Sequence, residues 1–166
     1  MSNTEQTLSI IKPDAVERNL DNEIKEMFKI KGFSILKEKK IQIEKSEAEK
    51  FYKVHETKPF YNDLCAYLSS GPIVVMVLEK ENAVLGNREL MGATNPNDAE
   101  EGTIRKKYGI SIDKNSVHGS DSVENAKIEI DFFFKNHNHN WSRRKISAKI
   151  IIKWLCFMNL VKFFSF

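Results

Sequence analysis

Cysteine is scarce in this chain: Cys65 and Cys156 stand far apart, and neither has a partner at the spacing of a disulfide framework or a zinc site. The common phosphate-loop and nucleophile signatures are missing as well. There is no GxxxxGK[ST] loop, no GxGxxG after a strand, no GxSxG elbow and no HRD or DFG set. Long apolar runs are absent too, the longest uncharged stretch of the C-terminal tail being residues 154–161, well short of the roughly 20 residues that span a bilayer. The opening MSNTEQTLSIIK is polar and acidic before its first apolar run, which is not the order of a secretory leader, so the expected location is the cytoplasm. What remains is 166 residues, enough for one ordinary domain whose core needs neither disulfides nor metals.

Acidic residues are missing from one stretch. Residues 136–166 hold six of the 26 basic residues and none of the 23 acidic ones, leaving 20 basic against 23 acidic and a net charge of −3 for residues 1–135. The chain therefore reads as a domain over 1–135 followed by a basic, apolar C-terminal extension over 136–166. Such an extension can lie on an anionic membrane surface or dock a partner. It can also pack on its own body or have no selected role, and these two readings weigh more because it fits no defined motif. His137 and His139 read as a polar linker, since no Cys or carboxylate accompanies them.

The body alternates short apolar runs with amphipathic stretches, without repeats or low-complexity blocks. TLSIIK (7–12) reads as a buried strand stopped by Pro13. Residues 14–31 read as one helix, with Ile24, Met27, Phe28 and Ile30 at helical spacing and Gly32 at its end. FSILKEKKIQI (33–43) alternates as an amphipathic strand, and Ser46 opens a helix with Glu49 as its capping-box partner. A helix over 61–69 is closed by Ser70-Gly71-Pro72. PIVVMVLE (72–79) is the β-branched run of a mid-sheet strand, and 81–91 is a helix. Residues 92–115 are rich in Gly, Asn and Asp and read as one loop of over 20 residues, a length that goes with function or disorder. A short strand over 116–119 and a helix over 121–134 follow, with Val123, Ala126, Ile130, Phe133 and Phe134 on one apolar face. Strands separated by helices indicate an α/β sandwich.

NSVHGSDS (115–122) leaves His118 three readings: a bystander, a metal ligand or a nucleophile. The metal reading falls for want of partners. Gly119 permits a tight strand-to-helix connection, and Ser120 or Asp121 can cap the helix, whose N–H groups and positive dipole end face the same region. Glu129 shares a helix face with Ser122 and Asn125 and leans back toward the N-terminus, where it can orient the motif. Imidazole is largely neutral at physiological pH and can attack phosphorus. On these residues alone, bystander and nucleophile both stay open.

NSVHGSDSVENAKIEI resembles the active-site signature of the nucleoside diphosphate kinases, in which the histidine is transiently phosphorylated. The resemblance continues through TLSIIKPDAV (7–16), HETKPFYNDL (55–64), SGPIVVMVLEKENAV (70–84), RELMGATNP (88–96) and GTIRKKYG (102–109), in family order over roughly residues 5–134. GATNP looks like the bacterial type. The resemblance implies a ferredoxin-like βαββαβ fold, an α+β sandwich whose four-stranded antiparallel sheet is covered by helices. It also implies a kinase that moves the γ-phosphate of a nucleoside triphosphate, mainly ATP, to nucleoside diphosphates by a ping-pong mechanism through a phosphohistidine at His118, maintaining (d)NTP pools.

Carried over residue by residue, the resemblance puts Arg88 and Thr94 at the β-phosphate and Arg105 at the transferring group, where negative charge must be neutralised. Lys12 and Asn115 would reach the ribose 3′-hydroxyl, Lys12 also serving the phosphates, with Tyr52 bordering the site near Lys12. Ser120 and Glu129 would support the His118 ring. Phe60 would stack on the base, with Leu64 beside it and Ile112 opposite, and so few directional donors admit purines and pyrimidines alike. Magnesium would be held by the nucleotide and water with no direct protein ligand, Asp121 being the candidate for a water-mediated contact. The implied partners are nucleoside tri- and diphosphates and further copies of the chain, a tetramer favoured over a hexamer, with Pro96 in a segment tied to subunit contacts; no nucleic acid is required. The sequence departs from the pattern at Glu100-Glu101, where the family often has a proline, and over 136–166, which match no family ending and leave assembly open.

Two other classes share the architecture. RNA-binding modules use similar sheets, but the body is net acidic and lacks an aromatic-rich strand for stacking bases. A catalytically silent scaffold would have lost His118 or several phosphate contacts, and all are retained.

Overall fold

Pro13 sets the first boundary. Without an N–H to donate it ends strand β1 (Thr4–Ile11) and opens the short helix α1 (Pro13–Glu17). A computed structural model describes residues 4–135, and the extension over 136–166, with the readings made of it, lies outside the described residues. The helix expected over 14–31 is in fact two. Asn19 turns left-handed (φ 58°) between α1 and α2 (Asp21–Ile30), a conformation its short polar side chain tolerates. Gly32 (φ 80°) closes α2 as expected and leads into strand β2 (Ser34–Ile41), which carries a bulge between Ile35 and Lys37.

Helices α3 (Lys45–Phe51) and α4 (Tyr61–Leu68) follow, linked through a 3₁₀ turn at Lys53–His55. The capping box lies two residues ahead of the expected Ser46/Glu49 pair. Glu44 is the extended residue before the helix, and its N–H donates to the Glu47 carboxylate at 2.9 Å. Strand β3 (Ile73–Glu81) precedes α5 (Ala83–Met91), whose start is set by a left-handed Asn82 (φ 53°). The expected long loop over 92–115 is not structureless. It holds a 3₁₀ turn at Pro96–Asp98 and helix α6 (Ile104–Tyr108), capped by the Asn95 and Thr103 side chains. Strand β4 (Val117–Gly119) leads to α7 (Val123–Phe134), whose cap is Ser122 rather than Ser120 or Asp121: its hydroxyl accepts from the Asn125 N–H at 3.1 Å. Val123, expected on the apolar face, is half exposed; Ala126 and Phe133 form the buried part of that face.

The sheet order is β2-β3-β1-β4 with every pairing antiparallel, the ferredoxin-like βαββαβ arrangement with α3 and α4 inserted between β2 and β3. Both faces are covered. Ile11, Val74, Met76, Leu78 and Val117 pack with Ile24, Phe28 and Leu90 on one side; Leu8, Ile10, Ile73 and Val75 pack with Ala48, Leu68 and Phe133 on the other. That double cover explains why β3, buried from Ile73 through Leu78, reads as an uninterrupted apolar run although its neighbours are antiparallel. Among the described residues no helix is long and apolar enough to cross a membrane.

Candidate active site

His118 is the middle residue of β4, opposite Ile10 of β1. Its side chain is 21 % exposed, and Nε2 lies 3.2 Å from Glu129 Oε1 on α7. The other Glu129 oxygen accepts from the Ser120 hydroxyl at 2.6 Å, and Ser120 Oγ accepts from the Leu8 N–H at 3.2 Å. A carboxylate only accepts, so this contact assigns the ring proton to Nε2 and leaves the lone pair on Nδ1. Phe51 and Tyr52 pack edge-on against the imidazole, with centroids 5.3 and 5.9 Å away. Tyr52 is buried, and burial, then the nearby Glu129 carboxylate, pushes its phenol well up, so it stands as a neutral hydroxyl. From Tyr52 the rings continue through His55 (6.1 Å) to Phe60 (6.2 Å).

The Gly119 next to His118 serves room rather than a turn. A Cβ there would collide with the Asn87 amide and come within 2.9 Å of Met91 Cε, both on α5. Asn87 is itself fully buried, and neither atom of its amide finds a hydrogen-bond partner among the described residues.

A second group faces the first across the end of β1. Lys12 is buried and donates from Nζ to Asn115 Oδ1 at 2.8 Å. The Asn115 amide in turn donates to the carbonyls of Ile112 (2.8 Å) and Thr94 (3.1 Å). Burial, and next the charge of Arg105, lowers the Lys12 pKa to about 8 against the opposing pull of Asp14 and Asp113. Arg105 connects the groups: it donates to the carbonyl of Gly92 at 2.9 Å and to that of Val117, the residue before His118, at 3.0 Å. Burial, then Arg88, lowers its pKa to about 10. Arg105 thus keeps its charge in a buried place with another cation, Arg88, near enough to oppose it.

The structure thus joins His118, Glu129, Ser120 and Tyr52 in one cluster and Lys12, Asn115 and Arg105 beside it. Thr94 and Ile112 enter through backbone carbonyls, and the Ile112 and Phe60 side chains are 56 % and 51 % exposed. Leu64 packs against the core that holds Cys65 and Leu68. Asp121 is exposed, with Oδ1 accepting from Asn125 Nδ2 at 2.6 Å. No group of three or more His, Cys, Asp or Glu residues is placed to hold a metal ion among the described residues. A lone hard carboxylate fits a divalent ion that arrives with phosphate and water as its main ligands.

Sequence reasoning missed Phe51 and a buried network behind Lys12. There Asp14 accepts from Tyr67, Arg18 and Ser116. An acidic residue in the first turn of a helix is ordinarily read as a dipole partner, so Asp14 carried no signal of its long-range contacts.

A ferredoxin-like sheet with a proton-ordered imidazole on its edge strand, an arginine bonded to the residue before it and a buried lysine held by Asn115 defines a phosphotransferase that works through its own side chain rather than a phosphate loop. The sequence model of the family described as nucleoside diphosphate kinase matches residues 5–139. The chain is 59 % identical over 131 residues to the nucleoside diphosphate kinase of Campylobacter jejuni (strain RM1221), covering 79 % of this chain and 96 % of the relative. It is 59 % identical over 130 residues to that of Geobacter sulfurreducens, covering 78 % and 95 %. Among solved structures it is similar to the Aquifex aeolicus nucleoside diphosphate kinase, with a TM-score of 0.78, 40 % identity and coverage of 79 % and 95 %. The Encephalitozoon cuniculi enzyme gives a TM-score of 0.76, 38 % identity and coverage of 78 % and 88 %. The chain belongs to the nucleoside diphosphate kinase family. It is a phosphotransferase of a family that acts on nucleotides, is oligomeric and typically needs a divalent cation.

Proposed function

We propose that His118 Nδ1 attacks the γ-phosphorus of a bound nucleoside triphosphate, mainly ATP. The bond to the β–γ bridging oxygen breaks, its electron pair leaves on the nucleoside diphosphate, and the phosphoryl group stays on His118. A second nucleoside diphosphate then attacks the phosphohistidine through a terminal oxygen and leaves as the triphosphate. The observation that carries this reading is the 3.2 Å contact between Nε2 and Glu129. It directs the free lone pair to Nδ1 and keeps a carboxylate beside the ring while positive charge develops on it.

Around that centre Arg105 meets the transferring group. Two of its five N–H donors are spent on the Gly92 and Val117 carbonyls, which fixes the guanidinium plane and leaves other donors for anionic oxygens. Arg88 and the Thr94 hydroxyl hold the β-phosphate, and the lowering of Arg105 by the nearby charge of Arg88 supports an anion between them. Lys12 and Asn115 receive the ribose 3′-hydroxyl, supported by their own 2.8 Å contact. Phe60, with Ile112 opposite and Leu64 beside it, stacks the base; the exposure of Phe60 and Ile112 supports that use. Magnesium neutralises phosphate charge when bound, and Asp121 is the residue to reach it through water. We favour a tetramer over a hexamer, on the bacterial-type GATNP segment, and the cytoplasm, on the nucleotide substrates and the free buried thiol of Cys65.

The test is direct. Incubated with γ-labelled ATP and magnesium, the protein should acquire acid-labile label that added nucleoside diphosphate discharges and that His118→Ala lacks. Label that survives the substitution, or never forms, sinks the reading.

A further inference from the structure

The chain bends backwards between Asn115 and Val117. The Val117 N–H donates to the Asn115 carbonyl at 2.8 Å across Ser116, whose φ is 71°. This is a γ-turn with a left-handed central residue, a rare and strained arrangement for a residue with a Cβ. Strain of this kind persists only where surrounding contacts over-determine the backbone. Here those contacts converge on one buried acid.

The Asp14 side chain is 3 % exposed. Its Oδ2 accepts from Ser116 Oγ at 3.2 Å and from Arg18 Nη2 at 3.0 Å, and its Oδ1 accepts from the Tyr67 hydroxyl. Arg18 donates again to Ser116 Oγ (3.3 Å) and to the Tyr108 carbonyl (2.7 Å), while the Lys12 N–H donates to the Ser116 carbonyl at 2.9 Å. The Tyr67 ring also sits 5.9 Å from Lys12 Nζ. Helices α1 and α4 and the segment entering β4 therefore meet at Asp14. Beside Ser116 stands Asn115, whose amide holds Lys12.

We propose that Asp14 is a positioning residue: through Ser116, Arg18 and Tyr67 it pins the strained turn and thereby sets the Asn115–Lys12 pair that receives the ribose 3′-hydroxyl. This rests on the site reading given above. Asp14 acts through its partners and touches no nucleotide. A turn released from Asp14 relaxes toward an ordinary φ and carries Asn115 Oδ1 away from Lys12. The His118–Glu129–Ser120 group, anchored on α7 and β1, stays in place. The loss falls on recognition of the 3′-hydroxyl rather than on formation of the phosphohistidine.

The experiment uses the full chain with Asp14→Asn and, separately, Ser116→Ala. Two quantities are read: kcat/KM for ADP relative to 3′-deoxy-ADP as phosphoryl acceptor, and the stoichiometry of label on His118 from γ-labelled ATP. The preference for ADP should shrink by about tenfold in Asp14→Asn and less in Ser116→Ala, with label stoichiometry unchanged. An unchanged preference overturns the proposal, as does an equal fall for both acceptors, which marks a general structural role. A wild type that does not prefer ADP also overturns it. If Asp14→Asn does not fold, Ser116→Ala decides, because it keeps Asp14 with Arg18 and Tyr67. A wild type that never takes up label fails the site reading itself and is told apart by that.

Discussion

Lys12 is the site cation whose charge changes nearest to neutral pH, and the sign of two effects can be worked out from it. Its pKa in the folded protein is about 8, below the 10.5 of an unperturbed lysine, chiefly because burial penalises the ammonium. Between those values the unfolded chain holds the extra proton, so this residue's contribution to stability rises as pH increases through the window. On the proposed reading, the same deprotonation removes a charge that Lys12 offers to the phosphates. For the free enzyme, kcat/KM should therefore fall as pH rises through about 8, and the Lys12→Met variant should be slow and lack that limb. Urea midpoints should move the other way, the wild type gaining on Lys12→Met over the same interval. A wild-type profile flat through this range, or one whose alkaline fall persists in Lys12→Met, would refute the assignment.

Helices and strands show which parts of the pattern could be read ahead and which could not. The break at Asn19 is a point to test, because its left-handed φ of 58° is tolerated by asparagine and free for glycine but costly for alanine. Asn19→Ala should lower stability by about 1 kcal/mol in urea unfolding while Asn19→Gly stays close to wild type. Equal midpoints for the two variants would contradict the geometry. Strands β1 and β3 were legible through their apolar runs beside Pro13 and Pro72, and helix α4 through its closure by Ser70-Gly71-Pro72. The Asn19 break was hidden, since Ile24 and Phe28 keep helical spacing on one side and Ala15 and Val16 are apolar on the other. Helix α6 was hidden for a different reason: five residues are too few for a period of 3.6 to declare itself. In the site, His118, Glu129 and Lys12 were legible through their motifs. Asp14 was not, because its meeting with Ser116 spans 102 residues of chain and no local spacing encodes it.

For the whole chain, we propose that residues 1–135 are self-sufficient. Every group assigned to the site lies between Lys12 and Glu129, and α7 is closed within the described residues. The Phe133 carbonyl accepts from Lys39 Nζ, and the Lys135 N–H donates to the Asp131 carbonyl at 3.0 Å. A chain ending at Lys135 should transfer phosphate within about twofold of the full chain, and should match it in oligomer mass and in sedimentation with anionic vesicles. A loss of mass on truncation would give residues 136–166 a part in assembly, and a loss of vesicle binding would give them a membrane role.

The crowding at Gly119 has a consequence for how this enzyme can change. The residue beside His118 is constrained by Asn87 and Met91, side chains on a different element to which no part of the chemistry is assigned. A side chain at 119 has to displace the ends of those two, and the Asn87 amide has no hydrogen-bond partner among the described residues to hold it in place. Substitutions at the two positions are therefore coupled: a smaller residue at 87 removes the nearest obstacle at 119, whereas a side chain at 119 alone has to push the ends of Asn87 and Met91 aside. The sequences reachable around His118 depend on the history of two α5 positions to which no part of the chemistry is assigned.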